Sequence, residues 1–134
     1  MADYDLPEEI RYSRDDEWIR AEAGQRHRVG ITDYAQQQLG DVVFVELPDV
    51  GARYAAGQPF GVIESVKAVS DLYAPVAIEV LEVNGSLEDA PETVNGDCYG
   101  EGWLIVVRAT SPAEVDTLLD ARAYKAHIDA RSGD

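Results

Sequence analysis

One lysine has the position in this sequence that best suits covalent chemistry. Lys67 is the only lysine in the first 124 residues, and nine of the eleven basic residues are arginines. A lysine amine accepts an acyl group, which a guanidinium does not. Strand-like segments at 60–66 and 70–74 flank Lys67 and predict a β-hairpin with the lysine near its turn. The alternative, a solvated turn lysine without chemistry, fits the spacing equally well.

No other reactive side chains have the spacing of a catalytic or metal site. His27 lies among arginines, His127 lies near the C-terminus, and Cys98 is distant from both, so metal-ligand spacing is missing. Neither a nucleophile elbow nor a phosphate-binding glycine loop occurs. We expect both histidines to be surface or edge residues and the protein not to be an enzyme. A displayed amine on such a scaffold is typical of a carrier, in which an attached group does the chemistry.

Length and charge narrow the class of protein further. A chain of 134 residues predicts one domain. Its 26 acidic and 11 basic residues give a net charge of −15, which repels nucleic acids and anionic membranes and suits partners with basic patches. A single cysteine is typical of a reducing compartment. Without a targeting segment or a membrane-length apolar run, the sequence predicts a cytoplasmic protein.

Alternation of apolar residues predicts a chain built mainly from strands. Pro75 ends the second hairpin strand, and the pattern of the next strand slips around Glu79 and Glu82, which predicts a bulge. Residues 103–107 are continuously apolar and are predicted to form the most buried strand. The other predicted strands cover residues 18–22, 26–31, 41–47 and 76–83.

Short helices are predicted beside these strands. Thr32 caps a helix that ends at Gly40. Residues 111–114, Ser-Pro-Ala-Glu, have the sequence of a capping box with proline at the first helical position, and Tyr124 and Ile128 belong to a further helical piece. Two similar β-rich halves on either side of Lys67 predict a flattened barrel or sandwich.

A series of ordered motifs is similar to one known family. The chain resembles the glycine cleavage H-protein family of lipoyl carriers, and the resemblance runs from Tyr12 to Ile128. The motifs are Glu17-Trp-Ile, Val29-Gly-Ile-Thr-Asp-Tyr-Ala-Gln36, Leu39-Gly-Asp-Val-Val-Phe-Val-Glu-Leu-Pro48, Phe60-Gly-Val-Ile-Glu-Ser-Val-Lys-Ala68, Ser70-Asp-Leu-Tyr-Ala-Pro75 and Tyr99-Gly-Glu-Gly-Trp-Leu-Ile105.

The resemblance implies a fold and a function. The fold is β-rich, a flattened β-barrel or hybrid barrel-sandwich of the lipoyl-biotinyl carrier type, with short edge and C-terminal helices. Lys67 matches the lysine that carries lipoate in amide linkage. The implied partners are glycine decarboxylase (P-protein), which loads an aminomethyl group, aminomethyltransferase (T-protein), which removes it, dihydrolipoyl dehydrogenase (L-protein), which reoxidises the arm, and a lipoylating enzyme. The carrier itself catalyses nothing and is a monomer.

Further site residues are carried over by position. Glu64, three residues before Lys67, matches a position that lipoylating enzymes recognise. Glu17, Tyr34 and Asp71 match residues near a surface cleft that receives the loaded arm, where a carboxylate stabilises its cationic amine. The alternative, in which Tyr34 and Asp71 only cap and pack, fits their positions equally well.

The sequence departs from the family at two positions. Ile78 stands where a glycine is usual, and the larger side chain is expected to alter the local bend and hinder the modifying enzyme. Cys98 stands where bacterial members more often have proline, and we expect a buried, inert thiol because nothing nearby is basic.

The alternatives concern the kind of carrier and the extent of its domain. A biotinyl lysine usually lies between methionines, and lipoyl domains of 2-oxo acid dehydrogenases usually carry Asp before it, whereas Val66 precedes Lys67 here. An H-like carrier that transfers lipoate to other complexes, or an unlipoylated binding protein, remains open. We expect an acidic, poorly ordered lead-in over residues 1–11, one lipoyl-carrier domain over 12–128 and a frayed tail over 129–134.

Overall fold

Two antiparallel sheets make up most of the computed structural model, which describes residues 4–131. One sheet has six strands in the order β1-β2-β3-β9-β8-β5, and the other has three in the order β4-β6-β7. The strands are β1 (Arg11–Tyr12), β2 (Glu17–Glu22), β3 (Arg26–Ile31), β4 (Val42–Glu46), β5 (Arg53–Tyr54), β6 (Pro59–Ser65), β7 (Val69–Tyr73), β8 (Ile78–Val83) and β9 (Ile105–Ala109).

The main core lies between these sheets and uses alternate residues of most strands. The predicted apolar run supplies its most deeply buried strand: Ile105, Val106 and Val107 of β9 are fully buried, because β9 lies between β3 and β8. The predicted bulge is also present, as a register shift between Val80 and Glu82. The sheets do not close into a continuous barrel. The predicted class, a β-rich flattened barrel-sandwich with short helices, is confirmed.

Three α-helices, α1 (Asp33–Leu39), α2 (Thr93–Gly96) and α3 (Ala121–Arg131), lie outside the sheets in the described part of the chain. The predicted ends of α1 are confirmed: the Thr32 hydroxyl accepts a hydrogen bond from Ala35 N at 3.1 Å, and Gly40 adopts a φ of +78°. The helix α2 was not predicted, because its segment is rich in turn residues.

The predicted capping box at 111–114 is wrong in its details. Residues Pro112–Thr117 form a 3-10 helix, and the Ser111 side chain makes no capping hydrogen bond. The helix ends at Leu118, whose backbone is extended. A helix this short and tightly wound does not form the α-helical first turn that a capping box requires.

A second apolar cluster joins α3 to the N-terminal strands. Tyr124 of α3 stacks on Tyr12 of β1 with ring centroids 4.7 Å apart, and both rings are fully buried together with Trp18. Ile128 of α3 is also buried in this cluster. The predicted C-terminal helix is therefore an integral part of the fold, since stacked aromatic rings contribute beyond their buried area.

The beginning of the chain differs from the expected loose lead-in. The Tyr99 hydroxyl donates to Asp5 O at 2.6 Å, and the Tyr4 ring packs edge-on against Tyr34 at 5.0 Å. Ile10 is buried. These contacts attach this segment to α1, to the loop that contains Tyr99 and to the second apolar cluster. Residues 1–3 of the lead-in, and residues 132–134 of the tail, lie outside the described part of the chain.

The hairpin of β6 and β7 forms as predicted, but one residue changes face. Regular alternation along β6 would place Phe60, Val62 and Glu64 on one face, whereas Phe60 is buried and the other two are only partly so. A register shift between Pro59 and Gly61 explains the difference, because an extra residue in one strand reverses the alternation of side chains.

Among residues 4–131, none of the helices is both long and apolar enough to span a bilayer.

Candidate functional site

Lys67 lies in the turn between β6 and β7, and hydrogen bonds fix the backbone on both sides of it. Ser65 N donates to Ala68 O at 2.8 Å, and Ala68 N donates to the Ser65 hydroxyl at 3.1 Å. Val66 N donates to Asp41 O at 3.0 Å, which attaches the turn to the segment before β4. Ser65 is buried, so the lysine projects from a turn whose conformation is set from beneath.

The Lys67 side chain is exposed and runs beside the end of α1. Its Cε atom lies 3.5 Å from the position that a Cβ would occupy on Gly40. The negative end of a helix favours a nearby cation. Within residues 4–131, the structure gives the Lys67 amine no ion pair and no hydrogen bond. The amine is therefore available for reaction.

A cavity of about 310 Å³ lies between α1, β7 and the β1–β2 loop. Glu17, Tyr34 and Asp71, which the sequence predicted to share a cleft, all line it. Leu39 and Ser70 line it as well. Two lining residues are close to Lys67 along the chain: Leu39 precedes Gly40, which lies beside the lysine stem, and Ser70 lies three residues after the lysine. Other apolar wall residues are Ile31, Ala35, Ile63 and Leu72.

Glu17 is the most deeply buried carboxyl group of the cavity, with an exposed fraction of 2%. Its Oε1 accepts from the Ser13 hydroxyl at 2.7 Å, and its Oε2 accepts from Tyr73 N at 3.1 Å. Burial raises the pKa of Glu17 to about 8, against the effect of these hydrogen bonds and with a further contribution from Asp15 and Asp16. The group therefore connects the two sheets and holds a proton near neutral pH.

Sequence reasoning missed an ion pair at the mouth of the cavity. Arg131 Nη2 donates to Asp16 Oδ1 at 2.6 Å, and the Tyr124 hydroxyl donates to the same oxygen at 2.9 Å. The Arg131 guanidinium also lies over the Tyr34 ring, 4.9 Å from its centroid. Asp16 is thus neutralised locally by an arginine from α3. No sequence signal joins these residues, because they are 115 positions apart.

Asp71 and Glu64 lie on the side of the three-stranded sheet that faces away from the core. The register pairs Val62 with Asp71 and Glu64 with Val69, so these four side chains share a face. Leu72, on the opposite face of β7, is buried. The Asp71 carboxylate therefore approaches the cavity from its rim, and Glu64 is not among the lining residues.

His27 is buried, not a surface or edge residue as the sequence predicted. Only 8% of it is exposed, and its Nδ1 has no hydrogen-bond partner in the described structure. Burial lowers its pKa, opposed by the charge of Asp116. The missed signal was its spacing, since His27 continues the alternation of Val29 and Ile31 along β3 and thereby turns toward the core.

Cys98 is buried, as the sequence predicted, and its chemistry is suppressed. Burial raises the pKa of its thiol to about 12, and the charges of Asp33 and Asp5 add to the effect. Since the thiolate is the reactive form, Cys98 is inert at neutral pH. Across residues 4–131, no three His, Cys, Asp or Glu side chains are grouped so that they could hold a metal ion.

Comparison with known proteins identifies the family of this chain. The family model described as Glycine cleavage H-protein matches residues 10–131. The glycine cleavage system H protein of Anaeromyxobacter sp. (strain K) is 54% identical over 125 residues, which are 93% of this chain and 97% of that protein. The Geobacillus kaustophilus protein of the same name is 54% identical over 122 residues, or 91% and 95% of the two chains.

A solved structure shows the same architecture. The crystal structure of a glycine cleavage system H protein from Mycobacterium marinum superposes with a TM-score of 0.83 at 42% sequence identity, covering 92% of this chain and 99% of that one. Sequence matches over most of the chain and a shared fold lead to one conclusion. The chain belongs to the glycine cleavage H-protein family.

Proposed function

We propose that this protein is the lipoyl carrier of the glycine cleavage system and that lipoate is joined through an amide bond to Lys67. Family membership supports the system. The observation that supports the residue is a single exposed lysine in a turn that Ser65 fixes from beneath. Acylation removes the positive charge of the amine, and no ion pair of the described structure is lost with it.

The surroundings of Lys67 fit a long, largely apolar arm. The lysine stem lies beside Gly40, next in the chain to Leu39. The cavity has apolar walls from α1 and the three-stranded sheet, including Leu39, Ile63 and Leu72. When attached, lipoate supplies a disulfide that opens to take up an aminomethyl group from glycine and is later restored by oxidation. The chain's own residues present this arm to enzymes and shelter it between encounters.

Glu17, Tyr34 and Asp71 are proposed to receive the cationic end of the loaded arm. Glu17 lies at the buried end of the cavity and Asp71 at its rim. A cation favours the charged form of a neighbouring carboxyl group, so its arrival promotes the release of the Glu17 proton. Arg131 is held by Asp16, so the cavity keeps Glu17 and Asp71 as carboxyl groups for which the described residues provide no paired cation.

The rim carboxylate can be tested by substitution. Asp71→Ala is expected to increase the hydrolysis rate of the loaded arm about two- to fivefold, because an exposed charge pair contributes at most about 1 kcal/mol. The rate of ammonia release from the purified, loaded protein measures this. Asp49→Ala, at an exposed aspartate in the turn after β4, is the matched control. An unchanged rate in Asp71→Ala would leave the residue without a role in sheltering the arm.

The proposed partners follow from this cycle. Glycine decarboxylase loads the arm, aminomethyltransferase unloads it, dihydrolipoyl dehydrogenase reoxidises it, and a lipoylating enzyme attaches it. We assign the chain no catalysis of its own and propose a monomer acting in the cytoplasm. A net charge of −15 supports the monomer, because like charges oppose self-association.

The alternative of an H-like protein without the standard role depended on Ile78. In the structure Ile78 is 99% buried and pairs across the sheet with Tyr54 and Ala109. A side chain in that position packs the core and does not contact an enzyme directly. Its route to the lipoylation site is therefore indirect, through the bend of β8.

The mass of the intact protein from its native host tests the proposal directly. We expect an increase equal to one lipoyl amide, absent from Lys67→Arg, whereas Lys125→Arg keeps the modification. An unmodified protein from cells with active lipoate synthesis would replace this proposal with the binding-protein alternative. Ile78→Gly in that background would then show whether the buried isoleucine prevents attachment.

A further inference from the structure

Among the residues that the structure describes, a single basic side chain lines the cavity that contains Glu17. It is the guanidinium of Arg131, and the acidic lining residues are Asp15, Asp16, Glu17 and Asp71. Arg131 donates to Asp16 Oδ1 at 2.6 Å and lies over the Tyr34 ring, 4.9 Å from its centroid. A carboxylate and an aromatic face both attract organic cations. We call Asp16 and Tyr34 the cation-binding pair, which an arginine of the chain itself occupies.

The fold holds the cation-binding pair through contacts that do not involve Arg131. Asp16 has a left-handed backbone with a φ of +73°, and its carbonyl accepts from Thr32 N at 3.0 Å. Its Oδ1 also accepts from the Tyr124 hydroxyl at 2.9 Å. Tyr34 is a buried residue of α1. Because these contacts remain when the arginine is removed, the pair stays assembled without its guanidinium.

The arginine is held less firmly than the pair that binds it. Its side chain is 36% exposed, and its second polar contact, from Nη1 to Arg14 O, is 3.4 Å long. Arg131 is also the last residue of α3, whose buried anchors Tyr124 and Ile128 precede it. Partly exposed ion pairs exchange partners at little cost. Another cation that reaches the cavity can therefore displace this guanidinium.

The proposed cargo is such a cation, whereas the empty arm is not. A loaded arm ends in a primary amine, which is protonated at neutral pH, and an empty arm ends in an uncharged disulfide or dithiol. A neutral group offers Asp16 no charge-assisted hydrogen bond, so it does not replace the arginine. The ammonium and the guanidinium compete for the same carboxylate and the same ring.

We propose that Arg131 is a specificity-determining residue of the cavity, which withholds Asp16 and Tyr34 from an empty arm and yields them to the cationic end of a loaded one. This inference rests on the function proposed above. It adds Asp16 to the carboxyl groups that meet the cargo. Because a resident competitor lowers the apparent affinity for its replacement, Arg131 also limits how long the cargo stays sheltered and so favours its release to a partner.

Binding of methylammonium to the unlipoylated protein tests the competition without the arm. Methylammonium chloride is the probe because it carries the primary ammonium and the one carbon of the cargo, and NMR shifts of the Tyr34 ring protons report its binding. We expect Arg131→Gln to bind it about three- to fivefold more tightly than the parent. Arg131→Lys should lie between them, since lysine keeps the charge and loses the planar contact. Sodium chloride at equal ionic strength controls for screening.

The loaded protein supplies a second measurement, whose sign separates competition from a structural role. Ammonia release from loaded Arg131→Gln is expected to be about three- to fivefold slower than from the parent, because the cargo stays longer in the cavity. A purely structural arginine predicts faster release, since a loosened α3 would expose the arm. Arg122→Gln is the control, because it removes the same charge from an exposed position of the same helix. Thermal unfolding verifies that each variant folds.

The outcomes distinguish this inference from the proposed function. Equal methylammonium affinity in the parent and Arg131→Gln overturns the inference, as does ammonia release that is equal or faster in the variant, and each leaves the carrier function standing. The same changes in Arg122→Gln would show an effect of net charge and also overturn it. A parent that is not lipoylated at Lys67 overturns both the function and the inference.

Discussion

The carboxyl group of Glu17 has opposite consequences for stability and for binding. It is 2% exposed, its hydrogen bonds in the described structure come from Ser13 and Tyr73, and burial raises its pKa from 4.5 to about 8. The folded protein therefore retains a proton that the unfolded chain releases. The contribution of the protonated Glu17 side chain to the free energy of unfolding is lost progressively as the pH rises from about 4.5 to about 8. The same carboxylate, once ionised, is the group best placed to bind a cation.

Glu17→Gln removes this titration and keeps the side-chain shape. We expect the free energy of unfolding of the variant, relative to the parent, to increase between pH 5.5 and pH 8.5, by at most about 1.4 kcal/mol per pH unit. Urea unfolding at several pH values measures it. Glu8→Gln, at an exposed glutamate, supplies the control. Parallel pH profiles for Glu17→Gln and the parent would show that the carboxyl group is ionised normally in the fold.

Ser65 is the residue that fixes the Lys67 turn. Ser65→Ala leaves Ala68 N without the hydroxyl that accepts its hydrogen bond at 3.1 Å, and we expect a loss of about 1 kcal/mol. Hydrogen exchange of the Ala68 amide, together with thermal unfolding, measures the change. The control is Ser111→Ala, because the Ser111 side chain makes no capping bond. Unchanged protection of the Ala68 amide would mean that the strands alone fix the turn.

At the scale of elements, the junction of α1 and β4 supports both the helix and the lysine. Gly40 has a φ of +78° and a ψ of −154°, a region open almost only to glycine. We expect Gly40→Ala to destabilise the fold by about 1–3 kcal/mol. The added Cβ would lie 3.5 Å from Lys67 Cε, an ordinary contact distance, so the loss comes from backbone strain.

Urea unfolding of Gly40→Ala against Gly85→Ala measures that strain. Gly85 has open space where a Cβ would be added, and its φ is not positive, so its substitution changes stability little. Equal losses in the two variants would show that the α1–β4 junction relaxes and that its glycine is not required by conformation.

Sequence reasoning succeeded for elements whose signals are local. The cap at Thr32, the stop at Gly40 and the bulge near Glu82 each depend on residues a few positions apart. It failed where tertiary packing decides. The Ser111 box lacks its hydrogen bond because Pro112–Thr117 winds as a 3-10 helix.

The candidate site divides in the same way. The sequence singles out Lys67 as a lone lysine between two strand patterns, and Glu17, Tyr34 and Asp71 by their position in the family motifs. The structure places the last three around one cavity. The pairing of Asp16 with Arg131 was not predictable, because it arises only when α3 packs its aromatic face on β1. Burial of His27 was within reach of the period-two pattern, but its charged neighbours obscured that pattern.

At the scale of the whole molecule, the charges are unevenly paired. On the six-stranded sheet, arginines of β3, β5 and β9 pair with Glu82 and Glu79. On the three-stranded sheet, Glu46, Glu64 and Asp71 form no ion pair in the described structure. Unpaired charges contribute most to attraction over a distance, because paired ones largely cancel. The three carboxylates beside Lys67 therefore contribute unpaired negative charge where partners must approach, in a molecule whose net charge is −15.

This asymmetry predicts how salt affects partner enzymes. The rate of coupling to glycine decarboxylase should fall as salt rises, because the Debye length shrinks from about 10 Å at 0.1 M to about 3 Å at 1 M. Replacing Glu46, Glu64 and Asp71 by their amides should flatten the plot of log rate against log salt. The matched control changes Asp49, Glu88 and Glu92, three exposed carboxylates elsewhere, to their amides. Because both triple variants raise the net charge equally, equal slopes would mean that total charge, and not its position, governs docking.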